Sequence, residues 1–239
     1  MEPHRINPAQ RRAFAEPGLW FSRPLRRAHR LFRNFPSGEY RHILDVGAHQ
    51  GSFTELALPY FRPERVWMVE ADPEYSAALA ARYAANPAVT VIPCAISNVS
   101  GHVELRINSH RDSSSILPIE SVSERTFGLT MLETATIKVP ACTLDEVFQR
   151  EQISRIDLLK VDIQGAERLM IEGGAQALAR VELLYIELSY ERFYAGAPLA
   201  HEMEDLLWQH GFRLRSLHES RLGANGTLAY TNALFLRPG

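Results

Sequence analysis

From residue 42 onward, short apolar runs alternate with helix-like stretches, and that rhythm is the strongest constraint on how the chain can fold. His42-Ile-Leu-Asp-Val-Gly47 and Arg65-Val-Trp-Met-Val-Glu70 are each followed by a helical segment, Ser52–Tyr60 and the Ala-rich Pro73–Ala85. Val89–Pro93 is a third run, and Ile156–Asp162, Gly165–Gly173, Val181–Leu188 and Leu199–His210 resume the pattern. Strands buried on both faces read as continuous apolar runs, and their alternation with helices predicts a doubly wound, mostly parallel α/β sheet. Gly101–Asn108 and Thr134–Pro140 instead alternate apolar with polar residues, which predicts an inserted antiparallel pair. Phe212–Leu217 and Leu228–Leu236, joined by the turn-forming Gly223-Ala-Asn-Gly226, add two last strands.

With 239 residues and no second core-forming region, the chain reads as one domain plus an arm. Residues 1–42 carry nine Arg against three Glu, a net of +6, whereas the remainder carries a net of −8. Pro24–Phe35 has helical spacing of Leu25, Ala28, Leu31, Phe32 and Phe35 on one face. The basic arm, residues 1–41, is therefore expected to dock on its own domain, with contact to nucleic acid or membrane, or disorder, as the other readings. It is also the segment through which an oligomer would form. The acidic body argues against a nucleic-acid enzyme, since phosphates need cations along the groove. Two cysteines make no disulfide framework, no apolar run reaches bilayer length, and the N-terminus lacks a signal-peptide core. A reducing cytoplasm is the expected setting.

In an open α/β sheet, ligands bind beyond the carboxyl ends of the strands, at the point where strand order reverses. The first such tip is Asp45-Val-Gly-Ala-His-Gln-Gly51, where Gly47 and Gly51 permit close backbone approach and begin a helix. It lacks the G-x-G-x-x-G pattern that seats a pyrophosphate, and Asp45 suits an ammonium group better than a phosphate. The second tip is Glu70-Ala-Asp72. Glu70 stands 19 residues beyond Gly51, the spacing of an acid that accepts hydrogen bonds from ribose hydroxyls, while Asp72 before Pro73 is placed to cap a helix. An acid before the glycine turn and another after the second strand fit S-adenosyl-L-methionine, which has an amino-acid head, a ribose and no phosphate.

These motifs resemble those of the FkbM family of S-adenosylmethionine-dependent methyltransferases. The resemblance is carried by Ile43–Gly51, Val69–Pro73, Ala95-Ile-Ser97 leading to Gly101, Ser113-Ser-Ser115, Thr143-Leu-Asp145 and, most specifically, Leu159-Lys-Val-Asp-Ile-Gln-Gly-Ala-Glu167. It implies a Rossmann-like, seven-stranded sheet with an antiparallel C-terminal strand. It further implies that Asp45, Gly47, Ala48, His49 and Gly51 wrap the methionine moiety and Glu70 holds the ribose. Ala71, Asp72, Ala95 and Ile96 would border the adenine, and Asp162 would stand by the ammonium and the reacting centre. The sequence departs from the family in having His49 where Asn is common and Gln164 where Glu is common. Side chain 164 is therefore not expected to be an essential acid.

Methyl transfer asks a protein for alignment, exclusion of water and removal of the acceptor's proton. Asp162 is the first candidate base and Glu187, ending a neighbouring strand, the second; His49 is a third proton acceptor in the same region. Two acids at adjacent tips are also the beginning of a Mg²⁺ site, but no third oxygen ligand is identifiable and none is assigned. Lys160, two residues before Asp162, needs a carboxylate partner if buried. Ser113, Ser114 and Ser115 form a polar loop suited to substrate or cofactor, Glu167 a brace for the turn after Asp162, and Tyr190–Pro198 a wall of the acceptor pocket. Cys94 and Cys142 read as packing residues. The expected activity is O-methylation of a small-molecule hydroxyl on a natural product, sugar or glycan. N-methylation and a non-catalytic binding role are the alternatives.

Overall fold

The computed structural model describes residues 23–128 and 130–238; the larger part of the basic arm, and the proline-punctuated segment before residue 23, lie outside the described residues. The main sheet has seven strands: β1 (His42–Val46), β2 (Arg65–Val69), β3 (Val89–Ile92), β7 (Ile156–Val161), β8 (Val181–Ser189), β9 (Arg213–Leu222) and β10 (Leu228–Leu236). Their order is β3-β2-β1-β7-β8-β10-β9, and β10 runs antiparallel to both neighbours while the other pairings are parallel. This is the Rossmann-like doubly wound sheet with its antiparallel C-terminal strand. The inserted pair is β5 (Gly101–Asn108) against β6 (Glu133–Cys142). A two-residue strand, β4 (Ala95–Ile96), joins it in parallel to make a three-stranded sheet.

Successive side chains of a strand point to opposite faces, so each central strand feeds two cores. In β7, Leu158 packs with Ile43, Met68 and Leu183 on one face, while Leu159 and Val161 join Leu44, Val46 and Ile186 on the other. All six β7 residues are buried, which is why the sequence there shows no alternation.

The first face is covered by α1 (Arg23–Phe32), α2 (Ser52–Phe61) and α3 (Pro73–Tyr83). Ala28, Phe32 and Phe35 are buried; the Phe32 ring lies 5.4 Å from Phe53 and 4.6 Å from Phe61, and Phe35 lies 5.4 Å from Tyr185. The described part of the arm thus docks its apolar stripe on the sheet and leaves Arg26, Arg27 and Arg30 exposed. The other face is covered by α5 (Leu144–Arg150), α6 (Glu167–Glu172), α7 (Ala175–Leu178) and α8 (Ala200–Gln209), and a short α4 (Val122–Phe127) precedes β6. Thr143 and Glu146 form a reciprocal cap on α5, and Asp145 accepts the Ala177 amide at 2.7 Å. The Thr143-Leu-Asp145 motif therefore joins two helix starts. Among the described residues, no helix is long and apolar enough to cross a membrane.

Candidate active site

Strand order reverses at β1, which lies between β2 and β7, and the residues beyond its tip open into a cleft of about 760 Å³. The turn after β1 is built from left-handed residues: Gly47 (φ +73°), His49 (+49°) and Gly51 (+82°). Gly47 and Ala48 both donate their amides to the Val69 carbonyl at 3.0 Å, tying the turn to the tip of β2. A Cβ at Gly47 would stand 1.8 Å from the Asp162 carbonyl oxygen, so glycine alone lets β1 and β7 meet here.

Glu70 takes the His49 amide on one oxygen at 2.6 Å and the Asp72 amide on the other at 2.7 Å. A carboxylate has about four acceptor sites, so each oxygen keeps one for a ligand. Burial holds the Glu70 carboxyl above its usual range, although these two N–H bonds pull the other way. Asp72 caps α3 through the Glu74 amide at 2.9 Å and pairs with Arg111 at 2.5 Å. Arg111 also pairs with Glu74 and lies over the Tyr75 ring, 4.9 Å from its centre. Beside them the His49 ring meets Tyr75 edge-on, and its buried Nε2 has no hydrogen-bond partner.

Asp45 does something other than the sequence suggests. It is wholly buried and does not line the cleft. Its strand neighbour is Lys160, whose Nζ stands 3.1 Å from Oδ1, and Thr54 donates to Oδ2 at 2.8 Å. Lys160 also donates to the Gly47 carbonyl at 2.6 Å. Burial works against the charge on Lys160, but Asp45 beside it, with Asp162 and Glu70 nearby, keeps the ammonium above the usual lysine range. The pair therefore fixes the glycine turn from below. Ala48 and Gly51 likewise shape the turn without lining the cleft, whereas Gly47, His49, Glu70, Ala71, Asp72, Ala95, Ile96 and Asp162 do line it.

Asp162, just past β7, accepts from Gln164 Nε2 at 2.6 Å. Gln164 Oε1 lies 2.7 Å from the Tyr194 hydroxyl, which is also 2.8 Å from the Ser113 carbonyl. Ser115 donates to the Gln164 carbonyl at 2.7 Å, so the serine loop is fastened over the turn after Asp162. Ser114 and Ser115 line the cleft just described, while Ser113 lines a neighbouring one together with Glu187, Tyr194 and Gln164. Burial, reinforced by Asp162 and Glu167 and opposed by Lys160, raises the Glu187 carboxyl well above its usual range.

Glu167 accepts the amides of Ile163 at 3.1 Å and Gly165 at 3.3 Å and so braces the same turn. Burial lifts its carboxyl to about 7. A carboxyl raised in the folded state stabilises below its unfolded value, near 4.5, and loses that contribution as pH rises toward 7. At 1.36 kcal/mol per unit, the loss from Glu167 is on the order of 3 kcal/mol. Glu167→Gln is expected to flatten the fall in stability between pH 5 and 7, read by urea unfolding across that range. An unchanged slope would contradict the assignment.

Sequence reasoning missed Arg111 and gave Tyr194 no individual role. Neither has a periodic or spacing signal, since each reaches the site from a loop far away in sequence.

A carboxylate-rich cleft thus lies at the switch point of a doubly wound sheet, the place where such sheets bind ligands. The chain belongs to the FkbM methyltransferase family, whose domain matches residues 45–214. It is 25% identical over 170 residues to the 2-O-methyltransferase NoeI of Sinorhizobium fredii, a match covering 69% of this chain and 70% of that protein. It is 38% identical over 97 residues to the AMB antimetabolite synthetase AmbE of Pseudomonas aeruginosa, which covers 40% of this chain and 4% of that one. Among solved structures, an FkbM methyltransferase from Methylobacillus flagellatus superposes with a TM-score of 0.54 at 17% identity, covering 93% of this chain and 50% of that one. The chain thus spans only a small part of AmbE and half of the M. flagellatus chain. S-adenosyl-L-methionine is the cofactor expected from membership of this family.

Proposed function

We propose that the protein methylates a hydroxyl group of a small molecule, with Asp162 as proton acceptor. The observation that carries the cofactor half of this reading is the charge of the cleft. Glu70, Asp72, Asp112 and Asp162 line it, and its one cation among the described residues, Arg111, is committed to Asp72 and Glu74. Such a lining suits a cationic nucleoside and repels a phosphorylated one.

The residues present fit S-adenosylmethionine. Glu70 has acceptor sites left for ribose hydroxyls, and Ala71, Ala95, Ile96, Leu105 and Ile116 supply an apolar slot for adenine. The unpartnered Nε2 of His49 is free for a polar atom of the methionine moiety. When bound, the cofactor supplies a sulfonium methyl group as the electrophile. Glu70→Gln is expected to weaken cofactor binding about tenfold or more, because a charge-assisted bond contributes roughly 1.5–3 kcal/mol. Calorimetry giving an unchanged affinity would place the ribose elsewhere.

An alcohol must lose a proton as its oxygen attacks, so a carboxylate beside the acceptor favours O- over N-methylation. The 2-O-methyltransferase NoeI among the relatives points the same way. Glu187, whose carboxyl burial and Asp162 raise above its usual range, is the second carboxyl available to bond the acceptor. The test is calorimetry with S-adenosylmethionine and S-adenosylhomocysteine, followed by transfer of labelled methyl and mass spectrometry of the product. Absence of binding to either compound would sink the reading, and a methylated nitrogen would replace its O-methyl part.

A further inference from the structure

The neighbouring cleft, about 950 Å³, meets the cofactor cleft at Asp112 and Gln164. Its wall is aromatic: Phe127 and Phe193 stack at 5.6 Å, and Tyr230 stands edge-on to both at 6.2 and 6.5 Å. Phe127 and Tyr230 are only half-buried, so part of this wall is open to a ligand. Ser123 also lines the cleft, 2% exposed, and its Oγ has no hydrogen-bond partner. A buried hydroxyl without a partner is costly unless something that binds there supplies one. At the mouth stands Arg221, exposed and within bonding reach of the Tyr230 hydroxyl.

Arg221 differs from the arginines that hold the fold together. Arg111, Arg155 and Arg192 each pair with a carboxylate, whereas Arg221 makes no ion pair among the described residues. Glu187, a carboxyl lining the same cleft, is raised well above its usual range by burial and by Asp162. Asp112 stands at the junction with the cofactor cleft. The outer part of this cleft thus combines an aromatic face with an uncompensated guanidinium, in a body that is otherwise acidic.

Resting on the methyltransferase reading above, we propose that this cleft binds the acceptor, and that the acceptor is a hydroxylated ring bearing an anionic substituent, which Arg221 selects. The ring lies against Phe127 and Tyr230, the anionic group takes the guanidinium fork, and Ser123 and Glu187 bond inner hydroxyls. Guanidinium suits a carboxylate or phosphate because it offers parallel N–H donors.

The probes are 4-hydroxybenzoate and glucuronate, each with its neutral counterpart, methyl 4-hydroxybenzoate and glucose, titrated into protein loaded with S-adenosylhomocysteine. At least one acid is expected to bind tenfold or more tighter than its counterpart. Arg221→Gln should bring that preference below about threefold, and Arg221→Lys should retain part of it. Equal binding of acid and neutral forms, binding of none of the four, or a preference unchanged in Arg221→Gln would overturn the proposal. Failure to load S-adenosylhomocysteine at all would instead count against the methyltransferase reading, so the two failures are distinct.

Discussion

Replacing Asp162 by Asn is expected to lower methyl transfer to a hydroxyl by about 10²–10⁴-fold, the range contributed by a positioned general base. The substitution keeps shape and removes the charge and basicity. Asn keeps an amide oxygen to accept from Gln164 Nε2, which donates to Oδ1 at 2.6 Å, so the turn after β7 need not move. Affinity for S-adenosylhomocysteine and urea stability should therefore stay near the wild-type values, placing the loss in turnover rather than binding. The measurement is transfer of labelled methyl at saturating cofactor. Turnover within about threefold of wild type would remove Asp162 from proton acceptance and favour an amine acceptor, which needs little help in losing its proton.

The second large effect is expected at Gly47. Gly47→Ala forces an L side chain into backbone of φ +73°, at a cost of about 1–2 kcal/mol. Its Cβ would stand 1.8 Å from the Asp162 carbonyl oxygen, a clash with backbone that no rotamer relieves. Either the β1 turn or the tip of β7 must shift, and the shift moves Glu70 and Asp162 apart, because Val69 is tied to the same turn. We expect destabilisation of more than about 3 kcal/mol and loss of detectable cofactor binding, by urea unfolding and calorimetry. A stable Gly47→Ala protein with wild-type affinity would show that close packing of the two strand tips is not required.

The fate of Asp45 shows how a motif can be legible while its role is not. Its position beside the glycine turn marks the tip of β1, and that much follows from sequence spacing. Which partner its carboxylate meets depends on the strand beside it. Lys160 lies opposite Asp45 in register, and its buried ammonium takes this carboxylate as its ion-pair partner. Asp45 is thereby drawn beneath the turn. Glu70 is the contrasting case. It follows a strand, takes the His49 and Asp72 amides and lines the cleft, where its spacing from Gly51 leads one to look for it.

What the sequence alone determined is local and periodic. Apolar runs buried on both sides announce the parallel strands, alternation announces the β5–β6 pair, and glycines with an acid on either side announce the ligand crevice. The charge division also marks the arm, and the apolar stripe of α1 marks the face by which its described part docks. Tertiary structure decided which of the candidate residues share a cavity. Arg111 and Tyr194 approach from loops, and pairing across 30 or more residues leaves no trace in local pattern. The serine loop divides between two clefts because Ser115 is fastened to Gln164, while Ser113 turns toward Tyr194. The cleft proposed for the acceptor is assembled from α4, the segment after β8 and the last two strands, and only folding brings its aromatic wall and Arg221 together.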